Sequence, residues 1–184
     1  MKKQKWLSLI LATAMSALIV LPAAASADTS VPGTTYSATD STTAPLSPLA
    51  QQLQDYTAAL EPLGVYEDKA IDTYRNNNYV NAANRKTTFL AFNNIIVPNY
   101  TKFVQGLKAI QTPNSDLKYL HYKYTRGAYL QLEGLMLFKQ SLYSQKINYK
   151  LFNQANDKLA AGRKLIDQFN TEFEAYANKL AKQQ

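Results

Sequence analysis

Apolar residues recur at three- and four-residue steps along most of this chain, which is the period of a helix with one buried face. The longest run is Phe152, Ala155, Leu159, Gly162, Ile166, Phe169, Phe173, Tyr176 and Leu180. It predicts one helix of about 30 residues, roughly 45 Å long. Gly162 interrupts that stripe without a side chain, a choice that costs roughly 1 kcal/mol of helix propensity. The position is expected to admit a neighbouring helix or a large facing aromatic. A second stripe runs through Phe89, Phe92, Ile96, Tyr100, Phe103, Leu107 and Ile110. A third uses Leu117, Leu120, Tyr124, Ala128, Leu135 and Leu142, and the earliest uses Leu49, Leu53, Tyr56, Leu60, Leu63, Ala70 and Tyr74.

The breaks are as informative as the stripes. Pro62 and Gly64 predict a bend or split in the first helix. Pro98 lacks an amide hydrogen and crowds the preceding turn, so a kink is expected around Val97. Asn114 or Ser115 can cap the third helix just after Pro113. Short polar links, at Asn76 to Asn78, Gln111 to Asn114 and Lys146 to Asn148, make sequential helices antiparallel neighbours. The expected fold is all-α: an antiparallel up-down-up-down four-helix bundle with long helices over residues 47–184. No alternating β-branched runs bounded by turn residues argue for a sheet.

Two segments stand outside this pattern. Residues 1–27 have a basic start with Lys2, Lys3 and Lys5, an apolar core and a small-residue exit. They read as a signal peptide cleaved after Ala27, with retention as an N-terminal anchor the alternative. Residues 28–46 are rich in Ser and Thr, carry two prolines and have no period, which predicts a disordered linker. The protein is therefore expected outside the cytoplasmic membrane, secreted or associated with the cell envelope.

Composition then narrows the chemistry. The chain has 184 residues, no cysteine and a single histidine, His121. Disulfides, thiolate metal sites and cysteine nucleophiles are excluded, as is a lipid anchor on cysteine. The formal charge of +7 is unevenly spread. Seven acids and one lysine lie between Asp28 and Tyr74, a balance of −6. Eleven basic residues and two acids lie between Arg75 and Asn153, a balance of +9. Either an acidic helix packs beside basic ones, or the basic helices offer a surface to an anionic partner.

The densest chemistry is "DLKYLHYKYTRGAYLQLEGLMLF", residues 116–138. At about 100° per residue, Tyr124 falls with the core. Tyr119, Tyr122, Lys123, Arg126 and Tyr129 fall on an outer face, with Glu133 beyond them. Tyrosine buries apolar area while keeping its hydroxyl wet, and Arg126 can stack on its neighbours, so this is the candidate binding face. The alternative is that these rings cover the side of the bundle. His121 lies at the edge of the core stripe. The Glu-x-x-His spacing of helical metal sites is absent, because Lys118 stands three residues before it, so no metal is expected. Glu67 takes the one polar place in the first stripe. Buried, it must be paired or protonated, with Arg85, Lys86, Arg126 or His121 as candidate partners. A helix split after Gly64 rotates it to the surface instead. Hydrolase, phosphate-loop and zinc-protease motifs are missing, so no catalytic residue and no cofactor are expected.

The stretch "IIVPNYTKFVQGLKAIQTPNSDLKYLHYKY" places Pro98 after an apolar triplet, Ile110 before Pro113, then Leu117 and the Leu120–His121 pair. With "NQANDKLAAGRKLIDQFN", it resembles uncharacterised helical-bundle domains of exported proteins and lipoproteins from Gram-positive, Bacillus-like bacteria. The resemblance covers most of residues 50–182. It implies a helical bundle and export and supplies no catalytic residues. The lipoprotein members' anchoring cysteine is absent here. Function is therefore expected to be non-catalytic binding in the cell envelope, toward an anionic wall polymer, a lipid surface or another exported protein. Nucleic acid is not expected as a partner. The rival from another class is an envelope enzyme whose carboxylates, Glu67 and Glu133, converge in a pocket between helices.

Overall fold

The computed structural model describes residues 46–183, and the signal and linker assignments fall outside them. The described residues are helical throughout, joined by turns, with no strand among them. Helix α1 spans Pro48–Leu60, and a 3₁₀ turn at Glu61–Leu63 leads into α2, Gly64–Arg75. Helix α3, Arg85–Ala91, passes through a π-helical turn, Phe92–Ile96, into α4, Val97–Ala109. The two longest helices follow: α5, Ser115–Ser141, and α6, Tyr149–Ala181.

Three of the helix starts carry a side-chain cap. Ser47 Oγ accepts from the Ala50 amide, with Pro48 in the first turn, where its missing N–H costs nothing. Asn114 Oδ1 accepts from the Asp116 and Leu117 amides at the head of α5. Asn148 does the same for Leu151 at the head of α6. The split after α1 falls at Pro62 as the sequence predicts. The distortion around Pro98 lies just before Val97. A wider π turn carries the backbone past the proline ring, and Asn99 Nδ2 donates to the Ile95 carbonyl at 2.7 Å.

Two local expectations are corrected. Leu49 is exposed, and Ala50 faces inward in its place. The link between α2 and α3 covers residues 76–84, longer than the three asparagines suggested. Asn81 and Asn84 fold it back by bonding each other's backbone, and Asn84 Nδ2 donates to the Tyr79 carbonyl. Both side chains satisfy local backbone groups that a continuing helix would otherwise use. Arg85 then ties the start of α3 to the Leu142 carbonyl at the end of α5.

Aromatic rings dominate the core. Phe92 and Phe138 stack at 4.5 Å and 8°, and Tyr124 stacks on Phe169 at 4.5 Å and 3°. Tyr74, Phe103, Phe152, Phe173 and Tyr56 extend the two pairs with edge and tilted contacts. Paired contacts run in opposite order along α5 and α6: Tyr124 with Phe169, Phe138 with Phe152.

Between those rings the two long helices touch through glycine. A Cβ on Gly127 would lie 2.9 Å from the Gly162 carbonyl, and one on Gly162 would lie 2.6 Å from the Gly127 carbonyl. One heptad on, a Cβ on Gly134 would lie 2.9 Å from the Ala155 carbonyl. Gly162 thus admits a neighbouring helix, the first of its two expected roles.

Candidate functional site

The outer side of α5 is the most unusual surface described. Tyr122, Tyr129, Met136 and Tyr143 follow one another at seven-residue steps, and they are 64, 42, 50 and 77% exposed. Seven residues complete almost two helical turns, so Tyr122, Tyr129 and Met136 fall on one line, about 10.5 Å apart along α5, and Tyr143 lies just beyond the helix end at Ser141. Tyr119 stands beside the line and is also exposed. A single exposed ring needs no explanation; three large side chains in register, with Tyr143 just past the helix end, form a surface with a direction.

From Tyr129 onward the line becomes the floor of an open groove of about 730 Å³. Phe89 and Asn93, from α3 and the π turn, line it with Leu137, Lys139 and Lys158. Tyr143 meets Phe89 edge-on at 5.9 Å, which closes one end with aromatic carbon. The volume lies in the range of small-ligand sites, although the open shape suits a chain lying along it better than an enclosed molecule.

Charges accompany the rings. The Arg126 guanidinium sits 5.9 Å from the centre of the Tyr129 ring, and Lys158 pairs with Glu133 at 2.8 Å across the groove. Lys123, expected on the open face, turns toward α6. It reaches Glu172 at 2.5 and 2.7 Å while its ammonium lies 4.4 Å from the Tyr119 ring centre. The bond to the Glu172 carboxylate raises its pKa. Lys123 therefore braces the end of the track. Tyr119, Tyr122, Arg126 and Tyr129 lie together as the sequence predicts. The groove beyond Tyr129 was not anticipated, because Phe89 and Asn93 stand at least 36 positions before the residues they face, and Lys158 comes from a different helix.

The remaining candidates lie on the other side of α5, in a buried polar seam. His121 Nδ1 is 3.1 Å from the Tyr56 hydroxyl, and its Nε2 is 3.2 Å from the Thr125 hydroxyl. Burial lowers its pKa. Both ring nitrogens are occupied, which leaves neither directed at solvent. Farther along, the Tyr100 hydroxyl donates to Gln131 Oε1 at 2.5 Å. Among the described residues no three His, Cys, Asp or Glu side chains converge on one point.

Glu67 turns inward in spite of the helix split. The 3₁₀ turn keeps α2 nearly in phase with α1, and the carboxyl meets none of the four charged partners considered. Its contact is the Tyr124 hydroxyl, which donates to Oε2 at 3.5 Å. Burial, and secondarily Asp68, push its pKa up to about 7, against a smaller lowering by Tyr124. Glu133 sits on the opposite side of α5 in the groove. Tyr124 and Glu133 are nine residues apart, about 13 Å along the helix, so the two carboxylates occupy separate environments.

In comparison with known proteins, no family model, curated protein or solved structure gives a significant match to the chain. No helix among the described residues is long and apolar enough to cross a membrane.

Proposed function

We propose that this is an exported, non-catalytic binding protein of the cell envelope, built as an up-down-up-down four-helix bundle, that holds an anionic wall polymer along the outside of α5. The single observation that carries this reading is the exposed line Tyr122, Tyr129, Met136, continued by Tyr143, with Arg126, Lys139 and Lys158 beside it. Rings supply area and wet hydroxyls, while the cations supply attraction for negative charge. The excess of nine positive charges between Arg75 and Asn153 favours an anionic partner over a neutral one. The bundle arrangement is supported by four rods, α1–α2, α3–α4, α5 and α6, whose facing residues run in opposite order from one rod to the next. Leu63 meets Gly106 while Tyr74 meets Phe92, and Phe103 meets Tyr124 while Phe92 meets Phe138. The separation of Glu67 from Glu133 disfavours the two-carboxylate enzyme.

Co-sedimentation with purified Gram-positive cell walls tests the proposal. Wild-type protein is expected to sediment at low salt and to be released at high salt, since exposed ion contacts are screened beyond about 10 Å at 0.1 M. Tyr122→Ala/Arg126→Ala is expected to stay in the supernatant at both. Equal retention of the two proteins would overturn the assignment of this face.

A further inference from the structure

We infer that the polymer is a linear acidic polysaccharide, read by the repeat of the α5 track. This rests on the function proposed above and adds the chemical class of the ligand. A phosphate-rich chain and an acidic glycan both satisfy the positive charge. Only the glycan also uses the rings. A pyranose ring presents a face of C–H bonds, and the negative face of a tyrosine attracts that positive edge. The track repeats every seven residues, about 10.5 Å. That is close to the length of one disaccharide in an extended, β-linked glycan. Tyr122, Tyr129 and Met136 thus offer one apolar platform per disaccharide over three successive units.

The charges keep the same step. Arg126 stands between the first two platforms, stacked toward Tyr129. Lys158 enters opposite Glu133, between the second and third, and Lys139 lies just past the third. One cation therefore follows each platform, matching a glycan with one carboxylate per disaccharide. Glu133 holds Lys158 in place at 2.8 Å and partly offsets its charge, so the central contact is the weakest of the three. The groove from Tyr129 to Tyr143 encloses the chain on one side with Phe89 and Asn93, while the Tyr122 end is open. A polymer entering at Tyr122 and leaving over the open side of the groove before the Tyr143–Phe89 contact fits this shape.

Isothermal titration with hyaluronan oligosaccharides of four, six, eight and ten sugars, beside polyphosphate of matched charge, tests the inference. Affinity for hyaluronan is expected to rise in steps of two sugars and to level off at six. Tyr129→Ala is expected to weaken it at least tenfold while leaving polyphosphate binding within twofold. Tyr129→Phe, which keeps the ring, should bind as wild type does, and circular dichroism establishes that both variants fold. Binding of polyphosphate alone would overturn the glycan assignment and leave the anionic-polymer function standing. Failure to bind either chain, together with no retention on cell walls, would overturn both. A dimer in sedimentation equilibrium that Tyr129→Ala disperses, with no effect of oligosaccharide, would assign the track to a second copy of the chain instead.

Discussion

Glu67 shows how far a single residue can be read in advance. Its place in an apolar stripe marked it as odd, and the requirement for pairing or protonation followed from desolvation alone. Its partner was not legible, because only charged residues were weighed and the contact is a core tyrosine's hydroxyl. The pH consequence has a definite sign. The folded pKa, about 7, lies above the ordinary value of 4.5. Between those two values the native chain holds a proton that the unfolded chain has released, so stability falls as pH rises across that window and levels off above it. Glu67→Gln is neutral at every pH. It is expected to match wild type near pH 4 and to exceed it at pH 8 by on the order of 2 kcal/mol, read from urea midpoints. His121 was legible as a helix-edge histidine, but Tyr56 could not be named from spacing, since it lies 65 residues away, and Thr125, one turn on, was not weighed as a partner.

Among the elements, the helices and their breaks were legible because period, prolines and caps agree with one another. The close approach of α5 and α6 was half legible. Gly162 stood out as a gap in a stripe of large residues, whereas Gly127 and Gly134 were passed over between Tyr124 and Leu135. Two glycine substitutions separate packing from propensity. Gly162→Ala gains helix propensity but drives its methyl against the Gly127 carbonyl and the Gln131 amide, both backbone atoms. It is expected to destabilise by about 1–3 kcal/mol. Gly64→Ala meets nothing within 4 Å, and the backbone there is already helical. It is expected to stabilise by about 0.4–1 kcal/mol, through the unfolded chain. Thermal melts of the pair should move in opposite directions. The length of the 76–84 link was missed because asparagines signal a turn without saying where the next helix begins.

At the scale of the molecule, the outward face of α5 was legible from helical phase, and the groove was not. Periodicity assigns each residue an angle about its own helix; it does not say which distant segment will rise beside it. The charge asymmetry was legible as a sum, while the turn of Lys123 toward Glu172 needed the neighbouring helix. The glycine contact between α5 and α6 has a consequence in time. These helices are consecutive and joined by residues 142–148 alone, so their union closes a short loop, whereas α1 must cross most of the chain to reach Phe173. Short closures cost less entropy and occur sooner. The α5–α6 hairpin is expected to form first during folding and to be the last part to exchange its amide hydrogens, with α1 and residues 76–84 exchanging earliest. Pulse-labelled hydrogen exchange should show that order, and early protection of α1 would contradict it. A chain emerging from its N-terminus would then have no stable nucleus until its last helix is released. That delay keeps it extended, the state in which a polypeptide threads through a narrow pore.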